Sequence, residues 1–388
     1  MVHLTLWHGV NPPANREVLQ GLVDRFNQQH PQIQVEALYA GQGDQQIPKI
    51  LAAVVGGAPP DLLWYAPMLT GQLVELDAIL PLDELVAAQG QIDPALFETM
   101  RFEDHLWSVP FSVNNVGIFY RPSLFAAAGI TELPQTWEQL RQVARQLTRP
   151  DQNQFGLLLP LGKGEWTVFM WLPFFWSAGG ELDPASPAAG LGAEPTRSAA
   201  VAALQFWQDL VQDGSAVLSQ PERGYELDSF LAGKVAMQLT GPWTLRQLQA
   251  TGVDYGVLPI PTQQRPATSL GGENLFVFRT APNREQAAKV FAEYVLSQEF
   301  QTAWAVATGY LPVNLQSRQS SAYRAFVQQQ PVVQVFLDQA QSGHSRPITP
   351  GYSRLSEAIG RAVEAVLLGK SPVESWQQTR RQLERSFQ

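Results

Sequence analysis

The sequence predicts an α/β protein of two lobes joined by three extended crossings, and three observations carry that expectation. At 388 residues the chain is too long for one hydrophobic core, and ordinary domain size divides it into two or three. Its first 40 residues alternate strand, helix and strand with short connections, the mark of a parallel βαβ unit. Three extended stretches that carry proline, Leu106 to Arg121, Tyr255 to Pro261 and Thr308 to Val313, lie far apart in the chain. In the first, Pro110 and the polar pair Asn114 and Asn115 interrupt the strand-like residues Val109, Phe111, Val113 and Ile118 to Tyr120. A central strand does not tolerate such an interruption, whereas a strand leaving one sheet for another does. The two amides then face the gap between lobes, each with a donor and an acceptor for a polar ligand. The expected division is 1–110 plus 259–312 for the N-terminal lobe and 111–258 plus 313–388 for the C-terminal lobe.

In chain order, Leu4 to Trp7 reads as a strand, and Asn15 to Gln29 as a helix with Leu19, Leu22, Val23 and Phe26 on one face. Ile33, Val35 and Ala37 alternate as a second strand. A helix through Ile50 and Val54 stops at Gly56-Gly57, and Asp61 to Tyr65 follows as a buried strand. Open parallel sheets bind ligands at the loops beyond their strand ends. Thr136 with Gln139 forms a capping box for a helix whose inner face is Trp137, Leu140, Val143 and Leu147. Phe206, Trp207 and Leu210 belong to another helix. Val235 to Leu239 is a strand ending in the turn Thr240-Gly241-Pro242-Trp243, which starts a helix. The C-terminal third is helical, with Ile359, Ala362, Val363, Val366 and Leu367 on one face and Gly369 as the stop.

Composition narrows the function. Hydrophobic residues make up 45% and charged ones 16%, as in a soluble globular protein. A net charge of −9 argues against nucleic acid or an anionic membrane as partner. The absence of cysteine excludes disulfides, thiolate metal sites and cysteine nucleophiles. The N-terminus shows no targeting segment, and the most apolar run, Trp166 to Ala178, is interrupted by Pro173 and falls short of the roughly 20 residues a membrane helix needs.

Catalytic signatures are missing: there is no phosphate-binding glycine loop, no HExxH, no GxSxG and no SxxK, and the five histidines lack metal-ligand spacing. No cofactor and no metal is expected. The positive signal is 11 tryptophans, several at loops or helix starts, where flat sugar faces stack on such rings while amides and charged groups bind hydroxyls. Trp137 and Trp207, at helical spacing with apolar neighbours, belong to cores. Trp243, following Gly-Pro at a helix start, is assigned to ligand contact. Trp166, after Gly164-Glu165, suits either role.

Over essentially its whole length the chain resembles the periplasmic solute-binding proteins of ATP-driven importers, in the group of maltose-, trehalose- and glycerol-3-phosphate-binding proteins. The resemblance rests on the order and spacing of Leu6-Trp7-His8, Gly57-Ala58-Pro59-Pro60-Asp61, Pro110-Phe111, Tyr120, Thr136-Trp137, Gly179-Gly180, Gly233 to Met237, Gly241-Pro242-Trp243, Tyr255-Gly256 and Gly309-Tyr310-Leu311-Pro312. It implies two α/β lobes that close over a ligand by a hinge motion. It also implies a carbohydrate ligand, the permease subunits of an importer as partners, a monomer, and a location that is periplasmic or extracytoplasmic and membrane-associated. The implied cleft takes Tyr65, Asn114, Trp166, Phe169, Trp243, Gly272, Glu273, Asn274 and Tyr310. His8, Gln42, Asp44, Asn115, Tyr352 and Arg354 complete the expected binding set.

Maltose-binding members carry an acidic and a basic residue where this chain has Met68 and Leu69, and the tyrosine and glutamate of the glycerol-3-phosphate binders are replaced by Gly43 and Ala66. The segment from Arg346 to Ser356 resembles the trehalose and α-glucoside branch, so a disaccharide or glycoside is the expected ligand. Glycerol-3-phosphate or a glycerophosphodiester is the alternative, with Arg354 as phosphate partner. A glycoside-processing enzyme is the alternative from another class. It needs two carboxyl groups about 5 to 10 Å apart, of which the cleft positions matched by the family's motifs supply only Glu273.

Overall fold

The computed structural model describes residues 1–41, 46–183 and 189–386. In the N-terminal lobe, strands Val2–His8, Ile33–Tyr39 and Leu62–Tyr65 run parallel, with Val2–His8 in the middle. Strands Asn274–Val277 and Val109–Pro110 extend that sheet, each antiparallel to its neighbour. In the C-terminal lobe, Ala216–Leu218, Phe155–Leu159 and Val235–Thr240 form a parallel trio extended by Gly117–Tyr120 and Gly256–Leu258, again antiparallel. The two sheets therefore share one plan, although no sequence repeat marks it. Pro110 lies on an edge strand, where its missing N–H costs no ladder bond.

Helix Pro13–Gln29 buries Leu19, Leu22, Val23 and Phe26 and has proline at its start, where an N–H would have no helical partner. The capping box of Thr136 and Gln139 is formed in both directions and opens helix Trp137–Leu147. That helix buries Ala144 rather than the expected Val143 beside Trp137, Leu140 and Leu147. At the centre of the C-terminal lobe lies helix Glu165–Ser177, apolar on all sides and buried from Thr167 onward. Pro173 inside it has no N–H to give the Phe169 carbonyl four residues back. That carbonyl accepts instead from the Ser269 hydroxyl at 2.8 Å.

Between the lobes, Asn114–Asn115 and Thr268–Gly271 pair antiparallel, Leu270 opposite Asn115 and Gly271 opposite Asn114. Strand Gly343–His344 adds to them in parallel. Two of the expected lobe boundaries move. After Leu258 the chain stays with the C-terminal lobe: Thr262 N–H donates to the Gln135 carbonyl at 2.8 Å and Gln264 N–H to the Ser177 carbonyl at 2.9 Å. The second crossing is thus residues 268–273, not the 258/259 break, because the stretch after Leu258 finds its backbone partners in that lobe. Nor does the chain leave the N-terminal lobe at Val313, whose carbonyl accepts from Asp93 N–H at 3.0 Å, while Leu315 N–H donates to the Gln91 carbonyl at 2.8 Å. Helices Leu315–Gln319 and Ser321–Gln329 carry the third passage, and helix Val332–Gln339 then packs on Gly256–Leu258.

Replacing Ser269 by alanine should leave the buried Phe169 carbonyl without its donor and lower the free energy of unfolding by about 1 to 3 kcal/mol, as measured by urea denaturation.

Candidate functional site

The lobes meet across the cleft. Asn15 Nδ2 donates to the Trp243 carbonyl at 3.2 Å, and Gly71 N–H donates to the Ile348 carbonyl at 2.9 Å. Arg246 stands 3.6 Å from Glu17. Between Met68 and Thr99 of one lobe and Ser345 and Arg346 of the other is a cavity of about 20 Å³, room for about one water. A disaccharide needs several hundred Å³, so its entry requires the lobes to part.

One wall is aromatic. Trp243 is buried, with the Trp166 ring edge-on at 5.8 Å and the Tyr310 ring of the other lobe tilted at 6.4 Å. Tyr225, which the sequence alone did not single out, adds its ring edge-on to Trp166 at 6.0 Å. Trp137 and Trp207 are core residues, Trp137 stacked on Phe206 at 4.6 Å and Trp207 edge-on to Phe174 at 5.6 Å.

The crossings supply the floor. A Cβ on Gly271 would stand 2.4 Å from Asn114 Oδ1 and 2.5 Å from Phe169 Cζ, so only glycine lets these two side chains meet there. Gly272 turns the chain with φ of +120°, open to glycine alone. Glu273 follows, accepting from the Ser112 hydroxyl at 3.3 Å. Burial pushes its carboxyl up to about 7, against the Ser112 hydrogen bond and the nearby charge of Arg346. Burial, and then Glu273, raises the Tyr310 phenol well above its ordinary value.

The C-terminal lobe contributes a network in which only Tyr352 was expected. Arg346 is buried, lies over the Phe169 ring at 4.2 Å, and pairs with Glu165 at 2.5 Å. Tyr352 hydroxyl donates to Glu165 at 3.0 Å, and Ser356 hydroxyl donates to its other oxygen. Glu165 and Arg346 lie 181 residues apart, and although Arg346 opens the segment that resembles the trehalose and α-glucoside branch, neither was in the expected binding set.

Among the described residues, buried polar atoms without a hydrogen-bond partner in this cleft include Asn114 Oδ1, Arg346 Nε and Trp166 Nε1, with Asn15 Oδ1 at its rim. Indoles of Trp137, Trp171, Trp207 and Trp304 are unpaired in cores as well, so the weight falls on Asn114 and Arg346. An acceptor and a charged donor left open at a lobe interface are what a hydroxylated ligand would satisfy.

Several expected site residues are otherwise employed. Asn115 donates to the Phe336 carbonyl at 2.8 Å and accepts from Gln339 at 2.5 Å, so its amide fastens the crossing to helix Val332–Gln339. Asn274 Nδ2 donates to Ser108 Oγ at 2.8 Å and the Thr99 carbonyl at 3.0 Å, which fixes its strand to the preceding segment. Arg354 is exposed on helix Tyr352–Leu367, whose buried face carries Tyr352, Leu355 and Ser356, whereas Arg346 is buried and lines the cavity. His8 is buried, its Nδ1 accepting from Val10 N–H at 3.3 Å, and burial pushes it down to about 4, with Arg16 acting in the same direction. Tyr65 is buried beside Ile50 and Leu69 at its strand end, opposite Asn274. Gln42 and Asp44 lie outside the described residues, as does Gly43. Among the described residues no group of three or more His, Asp or Glu is placed to hold a metal, and no helix is long and apolar enough to cross a membrane.

Two measurements follow from this geometry. Because the folded pKa of Glu273 lies above its unfolded value, the native state holds more protons between about 4.5 and about 7. Stability should therefore fall as pH rises through that window and level off above it, and Glu273→Gln should remove this part of the slope in denaturation curves taken from pH 4 to 8. Asn115→Ala should lower ligand-free stability by about 1 to 3 kcal/mol in the same assay, since it strands partners inside the hinge.

The bacterial extracellular solute-binding protein model matches residues 21–331. A maltotriose-binding protein of Pyrococcus abyssi is 21% identical over 380 residues, covering 94% of this chain and 77% of the relative. An sn-glycerol-3-phosphate-binding periplasmic protein of Pectobacterium atrosepticum is 23% identical, covering 95% and 87%. In structure, the GacH receptor of Streptomyces glaucescens, solved unliganded and with acarbose, superposes with a TM-score of 0.87 at 23% identity, covering 99% of this chain and 97% of that one. That likeness shows the fold, two lobes about a cleft, while the model match over most of the chain shows the family, whose members bind solutes and are not enzymes. This chain belongs to the bacterial extracellular solute-binding proteins.

Proposed function

We propose that this protein captures a small neutral carbohydrate, a disaccharide or glycoside, between its lobes and delivers it to the permease subunits of an ATP-driven importer. It works as a monomer outside the cytoplasmic membrane. The observation that carries this reading is the coincidence, in one interlobe cleft, of an aromatic wall with an unpartnered buried acceptor on Asn114 and an unpartnered donor on Arg346. Rings supply area for a sugar face, and the open polar atoms supply direction. The relatives point to the same chemistry, since one is named for maltotriose and one structure holds acarbose.

Glycerol-3-phosphate remains the second reading, favoured by the name of one relative and by the cation of Arg346 in the cavity wall. Arg346 is already paired with Glu165, which weighs against it. Calorimetry with trehalose, sucrose, maltose, glucosylglycerol and glycerol-3-phosphate separates the two, and tight binding of the phosphorylated compound alone would sink the sugar reading.

On the carbohydrate reading Trp243→Ala should weaken binding of the preferred sugar by about 2 kcal/mol, about 30-fold, and Trp243→Phe should recover part of the loss. Unchanged affinity in Trp243→Ala, with a large fall in ligand-free melting temperature, would show that this ring is core and not binding surface.

A further inference from the structure

The cleft holds a cation together with the protein's own counter-anion. Arg346, 8% exposed, reaches Glu165 at 2.5 Å. Glu165 lies in the first turn of helix Glu165–Ser177, where unpaired backbone N–H groups favour negative charge. Tyr352 and Ser356 donate their hydroxyls to its two oxygens. A guanidinium and two hydroxyls converging on one carboxylate, in the first turn of a helix, are the donors that would hold a phosphate, and here the oxyanion belongs to the chain itself.

We propose that Glu165 is the specificity-determining residue of the cleft: it occupies the anion position, cancels the charge of Arg346, and so selects an uncharged hydroxylated ligand over a phosphomonoester. This rests on the reading of the cleft as the ligand site. Neutralised by Glu165, Arg346 still presents an unpartnered Nε, which suits it to donate to a sugar hydroxyl or ring oxygen. An incoming phosphate would have to expel the Glu165 carboxylate from Arg346, Tyr352 and Ser356 or lie beside it, and like charges a few ångströms apart in a dry site repel strongly. Glu273, near Arg346 on the cleft floor, adds a second carboxyl to the same region.

Titration calorimetry on the full chain tests this, with maltose, trehalose and sucrose as neutral probes and sn-glycerol-3-phosphate and inorganic phosphate as anionic ones. The wild type should bind a neutral sugar of this set more tightly than either anion. Glu165→Gln should bind sn-glycerol-3-phosphate at least about tenfold more tightly than the wild type, about 1.4 kcal/mol, with the gain shrinking as salt is raised. The double variant Glu165→Gln, Arg346→Gln should lose that gain, which a merely structural role for Glu165 does not predict. Should Glu165→Gln fail to fold, Glu165→Ala provides the same comparison. A folded Glu165 variant with unchanged affinity for both anions overturns the proposal, as does a wild type that binds sn-glycerol-3-phosphate more tightly than every sugar. A wild type that binds none of the sugars defeats the carbohydrate reading instead, while an anion gain in Glu165→Gln would still support the role of Glu165.

Discussion

The structure depends on the seam where two crossings run side by side. Asn114–Asn115 and Thr268–Gly271 leave different sheets yet pair with each other, so the backbone groups of both crossings are satisfied between the lobes. Their polar side chains tie the seam down on either side: Asn115 to helix Val332–Gln339, Thr268 to the Val116 carbonyl at 2.8 Å, and Ser269 to the carbonyl that Pro173 leaves open. A proline in a buried helix ordinarily costs a hydrogen bond. Here the vacated acceptor becomes the point at which the central helix of the C-terminal lobe grips the hinge, and the same residue, Phe169, turns its ring toward Gly271 and Arg346.

From that seam the cleft acquires its character. Its floor is backbone and glycine, so rings and amides from both lobes approach one another closely, while its rim is made of contacts that exist only when the lobes are together, such as Asn15 with Trp243 and Gly71 with Ile348. A cavity that holds about one water in this closed arrangement links admission of any ligand to hinge motion. A ligand stabilises closure only to the extent that it binds the closed form better than the open one, and groups left unpartnered on closure are where that difference would be gained.

The charge arrangement follows from the same enclosure. In water the Arg346–Glu165 pair would contribute little, but buried, each needs the other, because a lone ion there carries a large desolvation cost. The aromatic face of Phe169 and the hydroxyls of Tyr352 and Ser356 complete the solvation that water would otherwise provide. Glu273, with one hydroxyl partner and a more distant cation, is less well served, and its carboxyl rises accordingly.

Local chemistry was legible in the chain wherever near neighbours settle it. Hydrophobic periodicity located the helix Pro13–Gln29 and the parallel strands beside it, the Thr136–Gln139 pair marked a helix start, and a proline and two amides inside a strand marked a crossing. Trp243 was singled out by its place after Gly-Pro at a helix start, whereas Phe169, inside an apolar helix, entered the expected set only through the resemblance. Contacts between distant segments were decided by tertiary structure alone. Nothing local distinguishes Asn114, with its unpartnered oxygen, from Asn115, whose amide is spent on Gln339, until helix Val332–Gln339 arrives from 224 residues away. Arg346 and Arg354 are likewise two arginines of one segment, and only the burial of one helical face and the approach of Glu165 chooses between them. The path of the second and third passages was hidden for the same reason: an extended stretch with proline has no hydrogen-bond partner written into it, and the lobe that supplies one determines where it belongs.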